Sequence, residues 1–232
     1  MIRLLVTNGC SCTRGEELAD PEVEAWPYRL ATMLKVDVVN LAREGSSNRR
    51  IVRSTVDRVE DVCRARAVRP GEVLTLIAWT QTSRHEYFSA NEKPDLGPGP
   101  EEHPSDALWQ RIGPWRQDRG HKPSRAFYDH HWSDEGQLTN MFLDWAMLDA
   151  YLVARGFDAR YAFAFPIASD LPLQPSRFAA KLRSESVFGG LPPAPGSSFL
   201  EMTHGFERGR NGHPLAAGHA WFAESLAAWL DV

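Results

Sequence analysis

Apolar β-rich runs that alternate with amphipathic helical segments constrain this chain more than any other feature. Val73–Trp79 is a continuous apolar run, the pattern of a strand covered on both faces. Ile2–Thr7 reads as a buried first strand, Val36–Ala42 as a second β-rich run and Phe157–Phe165 as a fourth. Between them, Ala25–Leu34 places Trp26, Leu30, Met33 and Leu34 at helical spacing, with Pro27 tolerable in a first turn. Asn48–Ala67 carries Ile51, Val52, Val56, Val59, Val62 and Cys63 on one face; Ser46 or Ser47 serves as N-cap and Pro70-Gly71 as stop. Gln137–Arg155 turns Leu138, Met141, Phe142, Trp145, Leu148 and Leu152 inward and ends at Gly156. Pro214–Leu230 is the last helix, with Phe222, Leu226 and Trp229 on one side. Strands in alternation with helices predict a parallel sheet joined by right-handed crossovers.

A chain of 232 residues, 43% of them hydrophobic, can bury a core of one α/β domain, here 1–232. Two stretches, 89–135 and 166–212, are too long for ordinary connections and are expected to be loops or lids over the sheet edge. A net charge of −4 offers no electrostatic reason to expect nucleic acid or an anionic membrane as partner. No segment approaches the roughly 20 apolar residues of a membrane helix, and the short first run holds Arg3, unlike a signal peptide. Cys10, Cys12 and Cys63 form no disulfide framework, so a cytoplasmic protein is the default expectation. Oligomeric state leaves no mark on the sequence.

The chemistry gathers at two ends of the chain. Gly9-Cys10-Ser11-Cys12-Thr13 follows the first strand, so the turn sets Ser11 at the C-terminal edge of the sheet, where open α/β folds bind ligands. A serine hydroxyl becomes a nucleophile only when a base takes its proton. Gly212-His213-Pro214, just ahead of the last helix, can supply that base.

These segments resemble the blocks of the SGNH (GDSL-type) hydrolase superfamily, in the branch whose first block reads Gly-Cys-Ser-x-Thr. The resemblance implies a three-layer α/β/α fold with a central parallel five-stranded, flavodoxin-like sheet and long inserted loops. It implies that Ser11 is the nucleophile and that Gly45, in Asn40-Leu41-Ala42-Arg43-Glu44-Gly45-Ser46-Ser47-Asn48, lends a backbone N–H to an oxyanion hole. Where the third block has an asparagine, this chain has Thr80 in Ala78-Trp79-Thr80-Gln81. His213-Pro214 matches the end of the last block, but the acid position holds Arg210. Either Asn211 orients the imidazole or the site is a Ser–His dyad. No metal or organic cofactor is implied. Cys10, Asn48, Trp79 and Arg84 are expected around a small acylated substrate. The function implied is a serine-dependent acyl hydrolase; the alternatives are an acyltransferase on the same site or a catalytically impaired binding descendant.

Several residues have competing readings. Arg84, in Arg84-His85-Glu86-Tyr87, is either a clamp for a substrate carboxylate or phosphate or the partner of Glu86 in a loop ion pair. Cys10 and Cys12 read as small packing residues rather than metal ligands. The Asp129–Glu135 stretch reads as a helix start capped by Ser133, and His219 as a packed helix residue. Trp109, Trp115 and Trp132 line a pocket or form a small core of the insertion.

Overall fold

The computed structural model describes residues 1–93, 106–167 and 170–231. The parts of the two expected lids at 94–105 and 168–169 lie outside the described residues. Elements follow in the order β1 (Leu4–Asn8), α1 (Ser11–Arg14), α2 (Pro21–Glu24), α3 (Trp26–Leu34), β2 (Asp37–Asn40), α4 (Asn48–Arg66) and β3 (Val73–Trp79). Then come β4 (His85–Phe88), β5 (Trp109–Ile112), α5 (Pro114–Gln117), α6 (Lys122–His130), α7 (Asp134–Ala154) and β6 (Asp158–Phe163). The chain closes with α8 (Leu173–Ala179), α9 (Phe199–Met202) and α10 (Ala216–Trp229).

β1, β2, β3 and β6 form one parallel sheet in the order β2-β1-β3-β6. The expected five strands are therefore four among the described residues. Beyond β6 the ladder is reduced to a single parallel bridge, Tyr161 to Val187, with Phe188 N–H donating to the Tyr161 carbonyl (2.8 Å). Residues 189–196 there are rich in Gly and Pro, which suit turns and not a strand. A separate antiparallel pair, β4 with β5, belongs to the first insertion.

The two-residue period of the strands divides the core between the two faces of the sheet. Leu4, Val6, Ile77 and Trp79 pack with Ile51 and Val59 of α4 and Phe142, Trp145 and Leu148 of α7. Leu5, Leu74, Leu76 and Ala78 pack on the other face with Trp26 and Leu30 of α3 and Phe222 and Leu226 of α10. Helices on both faces make three layers.

Helix α4 begins at Ser47, whose hydroxyl accepts from Arg50 N–H (3.1 Å). The apolar pattern puts Val56 on the buried face, but Val56 is exposed. The buried face carries Ser54 and Thr55 instead, because their hydroxyls and the Ile51 carbonyl receive the Asn8 amide from the end of β1. Asn8 Oδ1 in turn accepts from Gly9 N–H (2.8 Å), so this tether aims the turn that follows β1. The insertion docks on the same helix through charge: Arg53 grips both Glu86 oxygens (2.9 and 3.0 Å), and Asp106 accepts from Arg50 and Arg53 (2.7 and 2.8 Å). Ser133 caps α7, as its sequence implies. No helix of the described residues is long and apolar enough to cross a membrane.

His219 packs in the core of the α10 layer. Its Nδ1 accepts from Trp26 N–H (3.1 Å) and its ring lies against Phe199. Burial, with the charges of Arg29 and His213, pushes its pKa down to about 3 from 6.5. The unfolded chain binds a proton there that the native state refuses, so this contribution is complete above pH 6.5 and is lost as pH falls toward 3. Wild-type stability is expected to fall through this range by up to about 1.4 kcal/mol per pH unit from this residue. His219→Gln should flatten the acid limb when melting temperature is followed from pH 7 to pH 4.5; an unchanged limb would show that His219 does not set it.

Candidate active site

The C-terminal edge of the sheet opens into a cavity of about 850 Å³, lined by Ser11, Gly45, Arg84, Trp115 and His213 among others. Each element delivers its residue for a local reason. The turn after β1 is Gly9, where a Cβ would lie 2.1 Å from Thr13 Oγ1, so only glycine lets α1 start this close to the strand. Ser11 is therefore the first residue of α1 and is 3% exposed. Gly45 stands in the loop after β2 with φ +66°, and a Cβ would meet Trp115 Cζ2 at 3.1 Å. Among the described residues, no acceptor takes the backbone N–H of Ser11 or of Gly45. Both residues line the cavity that His213 also lines.

His213 sits on a tight loop. Gly209 N–H donates to the His213 carbonyl (2.8 Å), and Arg208 bridges Pro214. Sequence alone leaves open whether Asn211 or no residue orients the ring. In the structure the partner is Glu17: His213 Nδ1 lies 2.9 Å from Glu17 Oε2. The same carboxylate accepts from Asn211 N–H (2.7 Å, at Oε1) and His213 N–H (3.2 Å, at Oε2). Asn211 thus contributes its backbone and Glu17 takes the orienting role. A carboxylate on Nδ1 fixes the tautomer that carries its proton there and leaves Nε2 as the basic nitrogen. Partial burial alone would raise the Glu17 carboxyl, but these donors outweigh it and hold its pKa below the usual carboxylate value, so it stays charged.

The backbone at Glu17 bears a cost for this. Its φ is +68°, in the left-handed region that a non-glycine residue occupies at roughly 1 kcal/mol. Gly15, at φ +89°, ends α1 and turns the chain so that Glu17 reaches back to residues 211–213. Gly209 clears its path: a Cβ there would stand 2.6 Å from Glu17 Cδ and 2.8 Å from its Cβ. Ser11 and His213 are not directly hydrogen-bonded to one another, which is common before substrate draws a catalytic pair together.

The remaining residues expected at the site divide. Arg84 lines the cavity. Cys10 and Trp79 do not; both are fully buried, Cys10 in the core around α3 and α10, Trp79 between Trp145 and Tyr161. Alternation along β3 turns Trp79 to the α4–α7 face, away from the sheet edge. The Cys12 thiol interacts with the Cys10 sulfur, and Arg84 lies close enough to help draw the Cys10 pKa well down. Asn48 and Thr80 hold each other: Thr80 N–H donates to Asn48 Oδ1 (2.8 Å) and Asn48 Nδ2 to the Thr80 carbonyl (3.1 Å). The Thr80 amide is therefore occupied and not free for an oxyanion. Among the described residues no cluster of three or more His, Cys, Asp or Glu side chains is placed to hold a metal ion. Trp115 lines the cavity, whereas Trp132 packs on Phe127 and Tyr128 within the insertion.

Solved structures share this fold. A member of the lipolytic protein G-D-S-L family from Veillonella parvula superposes with TM-score 0.51 at 12% identity, over 97% of this chain and 97% of that one. A lipolytic G-D-S-L family protein from Desulfitobacterium hafniense gives 0.50 at 13% identity, over 97% and 98%. At such identities the likeness is one of fold. The chain itself belongs to the family of unknown function DUF6071, whose profile matches residues 15–231. No curated protein matches it in sequence.

The Glu17 contact has a direct readout. A carboxylate-bound Nδ1–H is shielded from exchange, so His213 should give a downfield imidazole proton by NMR in the wild type. Glu17→Gln and Gly209→Ala, which remove or displace the carboxylate, are each expected to abolish that resonance while the fold persists. Its survival in Glu17→Gln would assign the Nδ1 partner elsewhere.

Proposed function

We propose that this protein is a serine-dependent acyl hydrolase of the SGNH type, acting through Ser11, His213 and Glu17. The observation that carries this reading is the Glu17 carboxylate on His213 Nδ1. It supplies the acid that the last block lacks at Arg210, and it argues against a degenerate site kept only for binding. The likeness in fold to lipolytic G-D-S-L proteins agrees with this chemistry.

In this mechanism His213 Nε2 takes the Ser11 proton as Oγ attacks the carbonyl carbon of an ester, thioester or amide. Glu17 stabilises the imidazolium that results. The tetrahedral oxyanion is held by the backbone N–H groups of Ser11 and Gly45, each such donor commonly worth about 3 kcal/mol in the transition state. The oxyanion collapses, the bond to the leaving group breaks, and His213 Nε2–H protonates that group. Water, deprotonated by His213, then attacks the acyl-enzyme; release of the acid regenerates the Ser11 hydroxyl.

A fluorophosphonate is expected to label the protein once, on the peptide that contains Ser11, as mapped by mass spectrometry. Ser11→Ala should lose labelling and ester turnover yet melt within a few degrees of wild type, because the side chain is small. Retained turnover in Ser11→Ala would falsify the assignment.

A further inference from the structure

Among the described residues Arg84 meets no carboxylate; the ionisable groups its charge reaches include the buried Cys10 thiol, whose pKa it helps to lower. Arg84 sits between β3 and β4 and lines the cavity that holds Ser11 and His213. Three other arginines have carboxylates: exposed Arg49 has Asp144, buried Arg50 has Asp106, and half-buried Arg53 has Glu86 and Asp106. Glu86, two residues from Arg84 and its sequence-based partner, gives both oxygens to Arg53. Its backbone N–H donates to the Gln81 carbonyl (3.3 Å), but among the described residues its side chain is in no ion pair or hydrogen bond, and Nε and Nη1 are covered without an acceptor.

Aromatic rings hold this cation in place. Its Cζ lies 5.4 Å from the centroid of Trp115 and 5.0 Å from that of Phe165, both lining the cavity. Ring faces attract a guanidinium but accept its N–H groups poorly, so the hydrogen-bonding demand of the edge remains. Arg84 is half-buried, and covered N–H groups that lack an acceptor are costly; such groups in native proteins mark strain or a ligand site. The wider wall is cationic as well. Arg111, Arg116 and Arg119 line the cavity with Arg84, against the carboxylates of Glu16 and Glu44. Burial, together with the Glu44 charge, pushes the Glu16 carboxyl up toward its neutral form. Arg111 Nη1 donates to the Glu44 carbonyl (3.0 Å) and Arg116 Nη1 to the Arg111 carbonyl (2.8 Å), which keeps the insertion's arginines beside the Gly45 loop.

We propose that the acyl substrate carries an oxyanionic group, a carboxylate or a phosphate-like group, that binds Arg84 between Trp115 and Phe165. This rests on the acyl-hydrolase reading for the word substrate, but the anion site itself does not depend on turnover. A planar guanidinium offers paired N–H donors to either oxyanion. The bound group would complete the arginine's hydrogen bonds, and the rings would keep water from competing. Arg84 is then a specificity residue that positions the acyl carbon near Ser11 and takes no part in proton transfer.

The test uses 4-nitrophenyl esters of short, medium and long straight-chain acids, each with a terminal methyl, carboxylate or phosphonate. In the wild type at least one anionic ester should exceed its methyl counterpart tenfold or more in kcat/KM. Arg84→Gln should erase that preference while leaving turnover of the methyl esters within about threefold, and Arg84→Lys should retain part of it. Whether carboxylate or phosphonate leads identifies the group. Calorimetric titration of Ser11→Ala with the preferred free dicarboxylate or phosphonocarboxylate should show binding that the added Arg84→Gln change removes. If methyl esters are turned over as well as the anionic ones at every length, or if Arg84→Gln leaves the preference intact, the anion proposal is wrong. If no ester turns over and no fluorophosphonate attaches, the hydrolase reading fails, and titration of Ser11→Ala with glutarate and with inorganic phosphate decides the anion site alone. Absence of Arg84-dependent binding there overturns it. Melting temperature guards against misfolding: Arg84→Met, which removes an unpaired charge, should be at least as stable as the wild type.

Discussion

One carboxylate ties the two ends of this chain together. Glu17 follows Ser11 by six residues, yet its oxygens receive the backbone of Asn211 and His213 and the His213 ring. Without that contact the histidine loop would rest on its own internal hydrogen bonds, which do not select a ring tautomer. With it, the serine and the histidine share one rigid frame, because Glu17 is joined to Ser11 through α1 and the Gly15 turn. The left-handed backbone at Glu17 and the glycine at position 209 show that the fold accommodates local strain and gives up a side chain to keep this contact.

A second layer of support lies behind the first. The Asn8 amide anchors the end of β1 on α4, and the reciprocal pair of Asn48 and Thr80 anchors the start of α4 on the end of β3. Two strand ends are thus fixed by side-chain amides and hydroxyls inside the protein, where such bonds are strong and their loss is expensive. The Arg50–Asp106–Arg53–Glu86 network then fastens the insertion to the outer part of α4 and brings Trp115 and its arginines over the cavity. Scaffold, the Ser11–Glu17–His213 frame and the arginine-rich wall are successive shells around the same sheet edge.

Much of this was legible in the sequence. Apolar runs and helical spacing locate the four strands and the long helices within a few residues, because periodicity reflects which face is buried. Ser11 and His213 stand out because each lies at an element boundary near a glycine or a proline, and Gly45 through the resemblance of its block; the structure lines one cavity with all three. Glu17 is not readable that way. It is one of a pair of glutamates after a glycine, and its role arises only when residues far apart in sequence meet. Trp79 misleads because a residue at the end of a strand can face either the ligand edge or the core, and its parity along β3 decides for the core. The fifth strand fails similarly, since a resemblance transmits a strand count that the Gly- and Pro-rich segment after Val187 cannot build. Arg84 shows the limit most plainly: its neighbour Glu86 invites an ion pair, and only the fold reveals that Arg53 has taken it.

The proposed catalysis depends most on Glu17 and His213 acting as one unit. A double-mutant cycle on ester turnover tests it most directly, with Glu17→Gln, His213→Ala and the pair compared with wild type. The pair should be scarcely slower than His213→Ala alone, since a carboxylate with no imidazole to orient has nothing left to contribute. If the two losses multiply, Glu17 serves some purpose independent of the histidine, and the account given of this site is wrong.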